Sequence, residues 1–156
     1  MKRDMLYEEL IELDMEAADI DDFFEKMSVK LLKLGYVKET FLEAIKKREA
    51  EYPTALPVEP YAVAIPHTDS EHIIKPFIAP VRLKKTVKWC EMAANDVEHD
   101  VRFVFILGIH GSNEHVELLQ VLVENFQDAQ LMKDLLEART SKQYMKLLLI
   151  MKGLAG

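Results

Sequence analysis

The run Val101-Arg-Phe-Val-Phe-Ile-Leu-Gly-Ile109 constrains the fold of this chain more than any other segment. After Arg102 it is apolar at nearly every position, so a strand built from it buries both faces. Such a strand belongs in the middle of a sheet, with helices above and below. Segments of helical periodicity supply those layers. Ile20, Phe23, Phe24, Met27, Leu31 and Leu34 recur at helical spacing behind Asp19, Asp21 and Asp22, whose charges favour a helix start, and Gly35 is the stop. A second helix is expected from about Lys38 to Ala50, burying Val37, Phe41, Ala44 and Ile45, with Arg48 on the same stripe. A third begins at Ser112, read as its cap, and places His115, Leu118, Leu119, Leu122 and Phe126 on one face. Asp128 and Ser141 read as caps of two closing helices, the last ending near Gly153.

The remaining strands carry weaker signals. Leu10 to Asp14 and Tyr61 to Ile65 read as short strands. Phe77 to Leu83 is interrupted by Pro80, which suggests an edge position or a bulge, and Thr86 to Trp89 continues or pairs with it. Between helix and strand, Tyr52 to Pro60 is a loop stiffened by Pro53, Pro57 and Pro60. Helices and strands alternating in this way predict an α/β fold: one three-layer domain over residues 1–156, with a mixed parallel/antiparallel sheet flanked by helices on both faces. A chain of 156 residues is long enough to bury roughly two thirds of its unfolded surface.

Composition narrows the function classes. Apolar residues at 49% and charged residues at 30% exclude a disordered or fibrous chain. A net charge of −7 without a block of Lys and Arg argues against nucleic acid as the main partner, and Arg82, Lys84 and Lys85 read as a solvated face. Cys90 is the only cysteine, so no intrachain disulfide forms, and beside Trp89 it reads as a small buried hydrophobe. Met1-Lys2-Arg3-Asp4 leads into Tyr7-Glu8-Glu9 instead of an apolar segment, and no run reaches membrane-spanning length. Cytoplasmic residence is the expectation.

The chemistry concentrates at the end of one short strand. Proline has no amide donor and a fixed φ, so the strand stops at Pro66 and His67 projects beyond it. A neutral imidazole there is a candidate nucleophile. His115 falls in the first turn of a helix, whose positive end disfavours imidazolium and whose free N–H groups attract anions. Both sit where elements begin or end, at the kind of rim where open α/β sheets bind ligands. Arg48 emerges at the inner edge of its helix; on residues alone, capping of the last carbonyls or a pair with Glu51 is the favoured reading. His72 and His99 read as surface residues. His110, separated from His115 by four residues, leaves open a contribution to the site and a His67, His110, His115 metal cluster.

The wording Pro53-Thr-x-Leu-Pro-x-Glu-Pro-Tyr-x-Val-Ala-Ile-Pro-His67-Thr-Asp69, preceded by Arg48-Glu49 and followed by Asn113-Glu114-His115, resembles a known pattern. It is similar to the IIA domain of the fructose/mannitol class of the bacterial sugar phosphotransferase system, and in particular to the galactitol-specific branch. The resemblance covers roughly the whole chain. Ala55, Ala62 and Thr68 depart from it, standing where many members have glycine. The resemblance implies a phosphohistidine carrier: His67 receives a phosphoryl group from the carrier protein HPr and passes it to a cysteine of a IIB component, for uptake of galactitol or a related polyol. It implies that His115 stabilises the phosphoryl group, that Arg48 and Thr54 lie around the site, and that no cofactor or metal is needed beyond the transient phosphohistidine. The membrane component IIC would be reached only through IIB. Two other readings stand beside it, a IIA-like regulatory protein whose phosphorylation state controls a partner, and a metal-dependent hydrolase built on the histidine cluster.

Overall fold

In the computed structural model the apolar run at 101–109 becomes the second half of a long strand, β5 (Ala94–Gly108), paired on both edges. One neighbour is β4 (Phe77–Glu91), antiparallel along its length, and the other is β3 (Ala62–Ala64), parallel. The structure describes residues 3–59 and 61–154, with residues 112–115 described through their backbone only. On the far edge of β4 lies β1 (Glu12–Met15), parallel to it. A two-residue strand, β2 (Ala55–Leu56), pairs antiparallel with β3 and meets the end of β4 at Glu91. The mixed sheet therefore curls, since β4 touches β5 directly and again through β2 and β3.

Alternation along β5 divides its side chains between two cores. Val104 and Ile106 pack with Phe23, Phe24, Met27, Phe41, Ile45 and Trp89, beneath α1 (Ile20–Lys33) and α2 (Phe41–Glu51). Phe103, Phe105 and Leu107 point the other way, toward Leu118, Leu122, Phe126, Met132, Tyr144 and Leu148. Those residues come from α3 (Ser112–Phe126), α4 (Ala129–Glu137) and α5 (Ser141–Leu149). Each buried Phe or Leu contributes about 1.5–3 kcal/mol relative to exposure, so the three-layer α/β arrangement follows from the same apolar pattern that suggested it. Asp19 caps α1 by accepting from the Asp22 amide, and Asp128 caps α4 through the amides of Gln130 and Leu131.

Several local expectations are corrected. The stretch at 94–100 is strand, invisible in the sequence because its polar side chains face solvent on a two-stranded ribbon. Pro80 lies inside β4, not at an edge; it pairs with Phe105, and β1 ladders only from Val81 onward, so no amide is demanded of it. The loop at 52–60 contains β2, and Leu10 belongs to a 3-10 turn that precedes β1. Phe41, not Lys38, opens α2, because Lys38 to Phe41 forms a turn first. Ser112 is the first residue of α3 and Gly111 its cap, while Thr140, not Ser141, caps α5 by accepting from the Gln143 amide. Cys90 is half-buried. Arg82 is no part of a solvated face. It is buried, donates to the carbonyls of Leu135, Leu136 and Ala138 at the end of α4, and pairs with Asp14. Helix ends leave carbonyls without partners, and this guanidinium supplies them. Among the described residues no helix is long and apolar enough to cross a membrane.

Candidate functional site

The three residues after β3 turn the chain toward the end of β5. Pro66 offers no N–H, and its carbonyl accepts from the Leu107 amide at 3.0 Å, which brings His67 alongside Leu107. The His67 side chain does not project freely, as the sequence suggested; it is 7% exposed and folds back so that Nδ1 lies 2.9 Å from the Ile65 carbonyl. A carbonyl only accepts, so Nδ1 carries the proton and, in the neutral ring, the lone pair belongs to Nε2.

Two glycines shape the other side. At Gly108 a Cβ would lie 2.1 Å from the Phe77 ring, so only glycine lets β5 run this close to β4 at its end. Gly111 adopts φ +86° and turns the chain into α3, whose first amides have no intrahelical partner. Between this turn and the segment after His67 opens a cleft of about 430 Å³ lined by Arg48, His67, Thr68, Asp69, Ile109 and Gly111. Arg48 reaches it from the last turn of α2. Its guanidinium stacks over the Tyr52 ring at 4.8 Å and stands 3.9 Å from the Asp69 carboxylate, so neither helix capping nor Glu51 accounts for it.

Thr54 lies behind the cleft instead of lining it. Its amide donates to Glu49 Oε2 at 2.6 Å, its hydroxyl donates to Glu49 Oε1 at 2.8 Å, and its carbonyl accepts from the Ile65 amide at 3.3 Å. Glu49 is the residue the sequence reading missed. Phe41, Ile45 and Glu49 share one face of α2 at spacing i, i+4, i+8, and all three are buried, Glu49 at 6% exposure. Burial pushes its carboxyl up to about 7 against the pull of the Thr54 hydroxyl and amide and the Arg48 charge. The Trp89 indole N–H favours the anion as well, without forming a hydrogen bond to it.

The sequence-predicted residues thus divide. His67 and Arg48 share the cleft, and Thr54 supports it. His115 falls in the first turn of α3, where its side chain lies outside the described residues. The other histidines have partners of their own: His72 Nδ1 is 2.7 Å from the Thr40 hydroxyl, His99 Nε2 is 2.7 Å from the Glu91 carboxylate, and His110 Nε2 donates to the Ile73 carbonyl at 3.0 Å. Among the described residues no three His, Cys, Asp or Glu side chains are grouped to hold a metal ion.

Residues 4–150 match the family model described as phosphoenolpyruvate-dependent sugar phosphotransferase system, EIIA 2. The chain belongs to this family. It is a phosphotransferase component of that system. Over 107 residues, 69% of this chain and 71% of the relative, the EIIA 2 chain is 29% identical to the galactitol-specific EIIA component of Escherichia coli strain K12. Its fold is that of nitrogen regulatory protein IIA-Ntr from Neisseria meningitidis, with a TM-score of 0.76 at 24% identity over 94% of this chain and 97% of that one. It is also that of the Escherichia coli mannitol enzyme IIA solved in complex with phosphorylated IIB, with a TM-score of 0.73 at 23% identity over 90% and 94% of the two chains.

Proposed function

We propose that this EIIA 2 protein carries a phosphoryl group on His67 Nε2, taking it from phospho-HPr and giving it to a cysteine of a IIB component during uptake of galactitol or a related polyol. One observation carries the reading: His67 Nδ1 donates to the Ile65 carbonyl inside a cleft shared with Arg48. The lone pair on Nε2 attacks phosphorus while the bond from phosphorus to the donor's histidine nitrogen breaks. No base is required, because the attacking nitrogen carries no proton. In the return step a thiolate of IIB attacks phosphorus, the N–P bond breaks, and its electrons go back to Nε2. Throughout, Nδ1 keeps its proton and donates it to the Ile65 carbonyl.

Phosphoryl transfer depends on donors for the charge on the equatorial oxygens. The planar fork of Arg48 matches two of them, α3 begins directly after Gly111 of the cleft lining and offers its first amides, and His115 is assigned the role of a further donor. Asp69 holds Arg48 only weakly at 3.9 Å, so an incoming phosphoryl group replaces it readily. The galactitol-specific name of the Escherichia coli relative supports the polyol, and the mannitol neighbour's complex with phosphorylated IIB supports the acceptor. This reading places the protein in the cytoplasm, with IIC reached through IIB. Incubation with phospho-HPr followed by mass-spectrometric mapping tests it. Label on His67 that chases onto a galactitol-type IIB is the expected result; no label, or label on another residue, overturns it.

A further inference from the structure

The His67 ring donates from Nδ1 to the Ile65 carbonyl, and that carbonyl belongs to an unusual peptide. The Ile65–Pro66 unit has no N–H, so nothing within it fixes its direction. Its orientation is set by the hydrogen bonds on either side. On the Pro66 side, the carbonyl accepts from Leu107 in β5. On the Ile65 side, the amide donates to the Thr54 carbonyl, and Thr54 is itself held by Glu49 through both amide and hydroxyl. Four bonds of 2.6, 2.8, 3.3 and 2.9 Å thus lead from a buried carboxyl to the Nδ1 proton of His67.

We propose that Glu49 is a positioning residue for His67: by anchoring Thr54 it aims the Ile65 carbonyl at Nδ1 and so keeps Nε2 the unprotonated nitrogen. The inference rests on the phosphocarrier reading for its functional meaning, not for its geometry. A buried carboxyl is costly to keep unless something uses it, and the two groups Glu49 binds both belong to Thr54. The anchor works in either charge state. A carboxylate accepts from both Thr54 groups, and a neutral carboxyl accepts from the amide while donating to the hydroxyl, which serves as donor or acceptor. Glutamine has the same dual capacity and the same length; alanine has neither.

Nitrogen NMR shifts of the His67 ring, recorded where it is neutral, test this directly. Wild type and Glu49→Gln should show the Nδ1–H form alone, with phosphorylation by phospho-HPr within about threefold of each other. Glu49→Ala should admit the Nε2–H form, the one favoured by free histidine, and lose about tenfold in phosphorylation rate. Thr54→Val keeps the amide anchor and loses the hydroxyl; it should move the ring in the same direction by a smaller amount, and it decides the matter should Glu49→Ala not fold. A pure Nδ1–H ring in Glu49→Ala, or in Thr54→Val when the alanine variant does not fold, overturns the proposal, as does a glutamine variant that shifts as far as alanine. The tautomer reading needs no phosphoryl transfer, so a wild-type protein that HPr fails to label sinks the phosphocarrier reading alone.

Discussion

Arg48 and Glu49 leave the same turn of α2 roughly 100° apart, one toward the open cleft at His67 and the other into the core behind it. The Arg48 side chain is 38% exposed, and its acid partner Asp69, at 3.9 Å, is 72% exposed. Such a pair is worth about 0–1 kcal/mol and weakens with salt. Glu49 is only 6% exposed, with contacts of 2.6 and 2.8 Å to a single residue. The difference divides the site into a wall that can exchange partners and a wall that cannot. On the proposed reading an arriving phosphoryl group would displace Asp69 from Arg48 at small cost, while His67 would stay where the strand end and the buried carboxyl hold it.

The largest effect tests the fixed wall at its end. His67→Ala should reduce phosphate uptake from phospho-HPr to background while the protein remains folded, because the ring fills the edge of the core and not its centre. The loss of its packing and of the bond to the Ile65 carbonyl costs about 1–2 kcal/mol in a urea unfolding curve. Retained labelling in that variant would move the acceptor elsewhere.

Next comes the charge state of Glu49. Its carboxyl rises from 4.5 in an open chain to about 7 in the fold, with burial as the main cause. Below pH 4.5 it is neutral folded and unfolded, and costs nothing. Between 4.5 and 7 unfolding releases a proton, so stability falls as pH rises; above 7 the penalty is constant at about 3 kcal/mol. Glu49→Gln lacks this penalty, so its stability advantage over wild type should grow by that amount from pH 4.5 to 8. A gap that stays flat with pH would mean that the carboxyl ionises as freely in the fold as in the open chain, and the two walls would be less different than they look.

Arg48→Lys probes the exchangeable wall. The charge survives but the planar fork does not, so transfer to His67 should slow by about tenfold while stability changes by less than about 0.5 kcal/mol. Kinetics equal to wild type would assign the guanidinium to its stacking on Tyr52.

How well the sequence disclosed these features depended on how local their causes are. The strand at 101–109 and the helix stripes were readable because burial on both faces, or at 3.6-residue spacing, leaves a mark in consecutive residues. The position of His67 just past a strand was readable through Pro66. Arg82 and Glu49 were not, because a buried charge looks like any surface charge until its partner is known. Asp14 lies 68 positions from Arg82, and the carbonyls it binds are more than 50 positions away on α4. Thr54 was expected around the site, but its position behind the cleft was not readable, since nothing local says that the residue before β2 will turn its hydroxyl toward α2. The ribbon at 94–100 was lost for the opposite reason, its side chains being solvated on a strand that only its pairing with β4 defines.

The smallest effect isolates Asp69. Its carboxylate is exposed, so Asp69→Asn should leave stability within about 0.5 kcal/mol. It nevertheless competes with the phosphoryl group for Arg48, and its removal takes one negative charge from the cleft that an anion must enter. A unit charge a few ångströms away in largely solvated surroundings is worth roughly 1 kcal/mol, or a few-fold in rate. With phospho-HPr the outcome would mix this local term with steering between protein surfaces, because an acidic residue also attracts a basic carrier face. A small donor such as phosphoramidate separates them. Against it, Asp69→Asn should label His67 a few-fold faster than wild type at low salt, and the advantage should vanish at about 0.5 M salt, where the Debye length is only a few ångströms. An advantage that survived the salt would show that Asp69 holds Arg48 out of position by geometry, and the second wall would then be as fixed as the first.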